Sequence, residues 1–155
     1  MKLRIISVGH KMPAWVDAAC SDFSKRMPRE LSVEIIDIKP EKRAAGNSTE
    51  NIQQLEAKRI LEAASKDFII ACDERGQEIT TLQLADKLQV WQTLGKDVSI
   101  VIGGADGLHA SVKQQADFLW GLSKLTLPHA FVRVLLCEQL YRAHTVLSNH
   151  PYHRE

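Results

Sequence analysis

Hydrophobic and polar positions follow two different periods along the chain. Alternating or unbroken runs of Ile, Val and Leu predict five strands, at Lys2–Val8, Leu31–Ile38, Phe68–Cys72, Val98–Ile102 and Leu122–Leu127. Between them, apolar residues three and four positions apart predict five helices, at Trp15–Met27, Asn47–Ser65, Thr80–Leu94, Ser111–Phe118 and Phe131–Leu147. This alternation is typical of an α/β fold, a mainly parallel sheet with helices on both faces. Neither a linker nor a repeat interrupts it, so we expect one domain over residues 1–155.

Two of the helix starts carry a capping-box signal. In each, a side chain at the cap accepts a hydrogen bond from a backbone N–H three residues on, and the residue there returns the bond. Asn47 with Glu50 predicts one such start, and Thr80 with Gln83 predicts the other. Gly95 is expected to end the helix that Thr80 begins.

The composition excludes several classes of protein. With 45% hydrophobic and 25% charged residues, the chain has the composition of an ordinary globular protein. No apolar run approaches a membrane span, and the N-terminus lacks the features of a secretory signal, so we expect a cytoplasmic protein. Cys20, Cys72 and Cys137 lie far apart and fit neither a disulfide framework nor a zinc site. We expect them to be small buried side chains.

The formal net charge of +1 is too low for a strongly basic nucleic-acid binder. RNA binding would therefore need a local basic patch or recognition of shape. The segment 40–46, with Lys39, Lys42 and Arg43, is predicted to be a surface loop, and it is either simply solvated or a contact to RNA.

A ligand site is expected at the carboxyl ends of the parallel strands. Three segments follow predicted strands there: Asp73–Gly76, Gly103–Gly107 and Thr126–His129. The glycines at 103, 104 and 107 form either a ligand-binding loop or a plain tight turn. Their spacing is not that of a dinucleotide site, and the P-loop lysine is absent, so ATP and NAD are disfavoured.

The C-terminal region allows more than one interpretation. His150 and His153 alone do not make a metal site, because zinc needs further ligands that no motif supplies, and no metal is expected. The tail is either frayed or folds over the site, where Tyr152, His153 and Arg154 would meet a substrate. Glu138 and Arg142 are four residues apart and form either a surface pair or a pair at a dimer interface.

An ordered set of motifs in this sequence resembles one known family over essentially the whole chain. The motifs are Met1–Ile5, Gly9–Trp15, Gly103–Leu108, Leu125–His129, Val132–Leu136, Glu138–Ala143 and Pro151–Glu155. Together they resemble the ribosomal large-subunit RNA methyltransferase H family of the SPOUT class. The resemblance implies a trefoil-knotted α/β sheet, a homodimer with each site near the subunit interface, and S-adenosylmethionine as methyl donor. It also implies transfer of a methyl group to N3 of a pseudouridine in 23S rRNA on the assembled ribosome, with no DNA or membrane partner.

The resemblance also implies roles for individual residues. The cofactor-binding positions are Cys72, Gly103, Gly104, Ser123, Lys124, Leu125, Thr126, Leu127 and Pro128. Cys72 stands where a leucine is expected, and an apolar contact is retained there. The matching C-terminal motifs place Glu138, Arg142, Tyr152, His153 and Arg154 at the substrate and the reacting centre. We take His153 as the first candidate for general base, and Arg154 or Arg142 as the group that stabilises the deprotonated ring.

Three other functions are compatible with parts of the pattern. A related knotted enzyme acting on tRNA would be favoured by extra basic domains. A non-catalytic ribosome-assembly factor with the same fold would fail to bind S-adenosylmethionine. A general nucleotide-binding α/β protein is disfavoured because the phosphate-binding motifs are missing.

Overall fold

A computed structural model of the protein describes residues 1–9, 11–42 and 46–154. Within these residues, five strands form one sheet in the order β2-β1-β4-β3-β5, and every strand pairing is parallel. The strands are β1 (Lys2–Val8), β2 (Ser32–Ile38), β3 (Phe68–Gln77), β4 (Val98–Ile102) and β5 (Phe118–Trp120). The predicted parallel sheet is therefore confirmed, and all strands end at the same edge.

Helices cover both faces of the sheet, as the strand–helix alternation predicts. They are α1 (Ala14–Lys25), α2 (Thr49–Ala64), α3 (Thr81–Trp91), α4 (Ala110–Gln115) and α5 (His129–Leu147), with a 3₁₀ turn at Arg29–Leu31. Alternate side chains of β1 divide between two apolar cores: Leu3 and Ile5 pack with α1, α3 and α5, whereas Ile6 and Val8 pack with α2 and α4. The central strand β4 is buried along its whole length, which accounts for its unbroken apolar sequence.

The last strand lies earlier in the chain than predicted. Phe118–Trp120 pairs with β3, whereas Leu122–Leu127 forms no strand and runs as a loop beyond the sheet edge. The predicted helix Ser111–Phe118 is correspondingly shorter, because α4 ends at Gln115 and Phe118 belongs to β5. Both runs contain large apolar side chains, and strand pairing selects between them.

The segment Asp73–Gly76 is likewise not a loop after a strand. It lies within β3, where the pairing with β5 shifts register between Cys72 and Gln77. Such a shift makes the strand bulge locally and redirects its side chains. Gly76 is required there, because a methyl group on it would lie 2.5 Å from the backbone nitrogen of Gly121.

One predicted capping box is confirmed and one is wrong. Thr80 and Gln83 make both reciprocal bonds at the start of α3. At the start of α2, the cap is Ser48, whose hydroxyl accepts from the backbone N–H of Asn51. Asn47 instead donates from its side-chain amide to the carbonyl of Lys42, so its position is set by the preceding loop.

Two of the three cysteines are buried in the core, as the sequence predicts. These are Cys20 and Cys137, whereas Cys72 is half-buried. Among the described residues, no helix is both long and apolar enough to cross a membrane. Arg43 of the predicted basic loop lies outside the described residues. The knot stays a prediction, because strand order and pairing do not define how the chain threads.

Candidate active site

A cleft of about 770 Å³ opens at the carboxyl edge of β3, β4 and β5. Its walls come from the bulge of β3, the glycine loop 103–107, the loop after β5 and the start of α5. Seven of the nine predicted cofactor-binding residues line it: Cys72, Gly103, Gly104, Ser123, Leu125, Thr126 and Leu127. The other two do not line the cleft. Lys124 is exposed, and Pro128 caps α5.

The glycine loop keeps its shape because two backbone segments touch. A methyl group on Gly103 would lie 2.7 Å from the carbonyl carbon of Gly107 and 2.8 Å from the nitrogen of Leu108. Gly107 has φ of +81°, a left-handed conformation that glycine adopts without strain. Its N–H donates to the carbonyl of Gly104 over 3.0 Å. The glycines are therefore needed for the turn that forms one wall.

The opposite wall is the loop after β5. The hydroxyl of Ser123 accepts a hydrogen bond from the backbone N–H of Leu125 over 2.9 Å. Leu125 is 75% exposed although it is apolar, and it lies at the cleft mouth beside Leu127. An exposed leucine next to a cleft offers an apolar contact to a ligand.

The charged groups of the cleft are mainly acidic. Among the described residues, four carboxylates line it, against two cations from Arg and Lys: Glu50, Asp73, Glu74 and Asp106, against Arg75 and Lys113. Burial opposes ionisation of Asp73, but the backbone N–H of Arg75 and the Lys113 ammonium 3.1 Å away together lower its pKa. Asp73 is thus held ionised, whereas burial raises the pKa of the Cys72 thiol to about 12 and keeps that group neutral.

The predicted catalytic residues assemble elsewhere, on the C-terminal half of α5. The Glu138 carboxylate accepts from Arg142 Nε over 2.8 Å and from the Tyr152 hydroxyl over 3.1 Å. Arg142 Nη1 lies 3.2 Å from Nδ1 of His153, to which it donates. The Tyr152 ring meets the Tyr141 ring edge-on, with centroids 4.8 Å apart. The tail therefore folds back on α5 instead of fraying. We call Glu138, Arg142, Tyr152 and His153 the tail cluster.

The contacts to Glu138 keep Arg142 charged and Tyr152 neutral. The hydrogen bond to Glu138 raises the pKa of Arg142, so the guanidinium stays protonated. Burial and the bond to Glu138 raise the pKa of Tyr152, so its hydroxyl stays neutral. Arg154 is exposed.

The cleft and the tail cluster are separate within one chain. Val132 is the last residue of α5 that lines the cleft. At 1.5 Å per residue, Glu138 lies about 9 Å and Arg142 about 15 Å farther along the helix axis. None of Glu138, Arg142, Tyr152, His153 and Arg154 lines the cleft. The structure thus brings most of each predicted set together, without Lys124, Pro128 and Arg154, and leaves the two sets apart.

Other cleft residues were not predicted as site residues. Gln53 of α2 donates to the carbonyl of Asp106 in the glycine loop. His109 contacts Glu50 through Nε2 at 2.7 Å and accepts from the N–H of Ser111 through Nδ1. Glu50 and Gln53 lie in the first turns of α2, and His109 caps α4. Only tertiary contact between α2 and the glycine loop brings them to the cleft. No group of three or more described His, Cys, Asp or Glu residues is arranged to hold a metal.

Comparison with known proteins finds one family over nearly the whole chain. A family model described as "Predicted SPOUT methyltransferase" matches residues 1–153. The chain is 66% identical to "Ribosomal RNA large subunit methyltransferase H" of Methylobacillus flagellatus over 100% of both chains. It is 53% identical to the protein of the same name in Paraburkholderia phymatum over 99% of both.

Solved structures share the fold at low sequence identity. A probable methylase family protein from Haemophilus influenzae superposes with a TM-score of 0.63 at 15% identity, over 99% of this chain and 70% of that one. The tRNA (m1G37) methyltransferase from Aquifex aeolicus gives a TM-score of 0.54 at 14% identity, over 93% and 70%. From the family match and the full-length relatives together, this chain belongs to the SPOUT methyltransferase family.

Proposed function

We propose that this protein uses S-adenosylmethionine to methylate N3 of a pseudouridine in 23S rRNA on the assembled ribosome. The observation that carries the proposal is the cleft, which gathers seven of the nine predicted cofactor-binding residues around a glycine loop. The choice of rRNA rests on the relatives that match over the full chain and are named as large-subunit RNA methyltransferases.

The residues of the cleft fit S-adenosylmethionine. Its volume of about 770 Å³ is in the range of pockets that enclose a ligand of this size. Leu125, Leu127 and the neutral Cys72 thiol offer apolar contact to an adenine ring. The sulfonium and ammonium groups are cationic, and the excess of carboxylates on the cleft walls favours them. When bound, this molecule supplies an electrophilic methyl group.

The tail cluster supplies groups suited to the RNA base. N3 of pseudouridine carries a proton that must leave as the new bond forms. Arg142 stays cationic beside Glu138 and is suited to stabilising negative charge on the ring. His153 accepts from Arg142 at Nδ1, so that nitrogen is engaged in this arrangement. With Nδ1 accepting, the ring carries its proton on Nε2, so action of His153 as general base requires the contact to Arg142 to break and free Nδ1.

A homodimer would join the cleft to the tail cluster. Trp15 and Phe131 are 49% and 56% exposed, and their rings lie 5.5 Å apart where α1 and α5 begin. Exposed aromatic pairs beside a site are favourable contacts for a second subunit. If two copies pack through α5 in antiparallel fashion, the tail cluster of one copy lies beside the cleft of the other. We therefore propose a cytoplasmic homodimer with two composite sites.

Methyl incorporation from labelled S-adenosylmethionine tests the proposal. The acceptors are intact ribosomes from a strain lacking the gene, free large subunits, naked rRNA and bulk tRNA. We expect label in ribosomes alone, at N3 of one pseudouridine. Label in tRNA would replace the proposed substrate. Absence of label in every acceptor, with no binding of S-adenosylmethionine, would favour a non-catalytic assembly factor.

A further inference from the structure

The first half of α2 presents three polar side chains, three residues apart on one helix face, to the glycine loop and to the cap of α4 that follows it. Glu50 contacts His109 at 2.7 Å, and Gln53 donates to the carbonyl of Asp106. Glu56 abuts Gly104, since a methyl group there would lie only 3.0 Å from its Oε1. One wall of the cleft is therefore held in place by α2.

The same helix also holds the loop that follows β2. The backbone N–H of Glu41 donates to Glu56 Oε2 over 3.1 Å. Arg59 donates to the carbonyl of Lys39 over 2.8 Å and pairs with the Glu41 carboxylate at 2.6 Å. Lys39 and Lys42 flank this attachment and are exposed, as a contact to RNA phosphates requires.

Glu56 is the side chain that touches both loops. It is 6% exposed, so its carboxylate is largely shielded from water and has little freedom to move independently of its neighbours. One oxygen accepts from the loop after β2, and the other lies against Gly104. The carboxylate thus lies beside the space that Gly104, which has no side chain, leaves open, and a displacement of the 39–42 segment moves the carboxylate relative to the glycine loop.

We propose that Glu56 is a positioning residue that couples RNA binding at residues 39–42 to cofactor binding at the glycine loop. The proposal rests on the proposed function, since it needs both ligands. Coupling between two ligands is reciprocal: RNA tightens the hold on the cofactor by the same factor as the cofactor tightens the hold on RNA.

The test measures the Kd of S-adenosylhomocysteine, which cannot be turned over, with and without saturating unmodified ribosomes. In the unaltered protein we expect ribosomes to lower this Kd by about 5- to 150-fold, the usual range of such coupling. Glu56→Ala removes the side chain from both loops and should bring the ribosome effect close to 1. Arg59→Gln, which loosens the same loop without touching Gly104, should reduce the effect as well. Glu62→Ala, at an exposed position of α2, is the matched control.

The outcomes separate the coupling from the proposed function. Equal ribosome effects in the unaltered protein and in both the Glu56 and Arg59 variants would overturn the coupling and leave the methyltransferase intact. An equal loss of affinity with and without ribosomes would assign Glu56 a purely structural role. An unaltered protein that binds neither S-adenosylhomocysteine nor ribosomes would overturn both proposals.

Discussion

Gly103 lies where the glycine loop folds back on itself, with no room for a side chain. In Gly103→Ala, the new methyl group would meet backbone atoms of Gly107 and Leu108 at 2.7 and 2.8 Å. Backbone cannot move aside as a flexible side chain can, so the loop must open, at a cost of about 1–3 kcal/mol. We expect at least a tenfold weaker affinity for S-adenosylmethionine, measured by titration calorimetry.

Gly95→Ala is the matched control for this substitution. Gly95 has φ of +69° with no atom within 4 Å of the added methyl group, and it lies outside the cleft. It should lose on the order of 1 kcal/mol of stability through backbone strain and keep its affinity for the cofactor. Equal affinities in the two variants would contradict the role given to Gly103.

Cys72 gives the cleft a measurable pH dependence. Its folded pKa of about 12 lies above the ordinary value of 9.0, so the folded state favours the protonated thiol. The stability from this preference is fully present below pH 9 and is lost as the pH rises toward 12. Above pH 9, the free energy of unfolding of Cys72→Leu should therefore rise relative to that of the unaltered protein. Urea denaturation from pH 7 to 10.5 measures this difference. A difference that does not change with pH would contradict a thiol that stays neutral in the folded state.

At the scale of elements, the C-terminal tail is an attachment to α5 rather than part of either core. It is held by the Tyr152–Glu138 and Arg142–His153 contacts and by the packing of Tyr152 on Tyr141. Removal of residues 150–155 should therefore leave the fold and cofactor binding nearly unchanged. Methyl transfer to ribosomes should fall by at least about 100-fold, as for loss of acid–base groups. Weakened cofactor binding together with a lower Tm would instead give the tail a structural role.

Elements with strong local signals were predictable from sequence, and those decided by pairing were not. β1 and β4 have their predicted bounds, and the Thr80 cap forms as expected, because each depends on nearby residues. The choice of Phe118–Trp120 over Leu122–Leu127 for β5 depends on which segment reaches β3, a contact made about 50 residues away in sequence. The register shift after Cys72 has the same origin.

For the site, the sequence predicted most of the residues that lie together in the cleft but not where the tail cluster lies. Cys72 ends a predicted strand and Gly103 and Gly104 follow another, so the rule for parallel sheets brings them to one edge. The position of the tail depends on side-chain contacts with α5, which no periodicity records. The roles of Gln53 and Glu56 were likewise hidden, because polar residues on a helix face usually meet solvent.

At the scale of the whole molecule, the proposed homodimer would bring the cleft of one copy to the tail cluster of the other. An isologous dimer repeats each contact twice, so both composite sites arise from one interface. The exposed Trp15 and Phe131 rings are expected to be covered in that dimer.

The sharing of one methyl-transfer site between two chains is tested most directly by an isolated heterodimer. One subunit carries Gly103→Ala with an intact tail, and the other lacks residues 150–155 with an intact cleft; two affinity tags purify the mixed dimer. At a limiting cofactor concentration, far below the Kd of the Gly103→Ala variant, each variant alone should be nearly inactive on ribosomes. The heterodimer retains one intact cleft opposite one intact tail and should recover about half the activity of the unaltered dimer. A heterodimer as inactive as its parents would contradict the shared site and place cleft and tail function within a single chain.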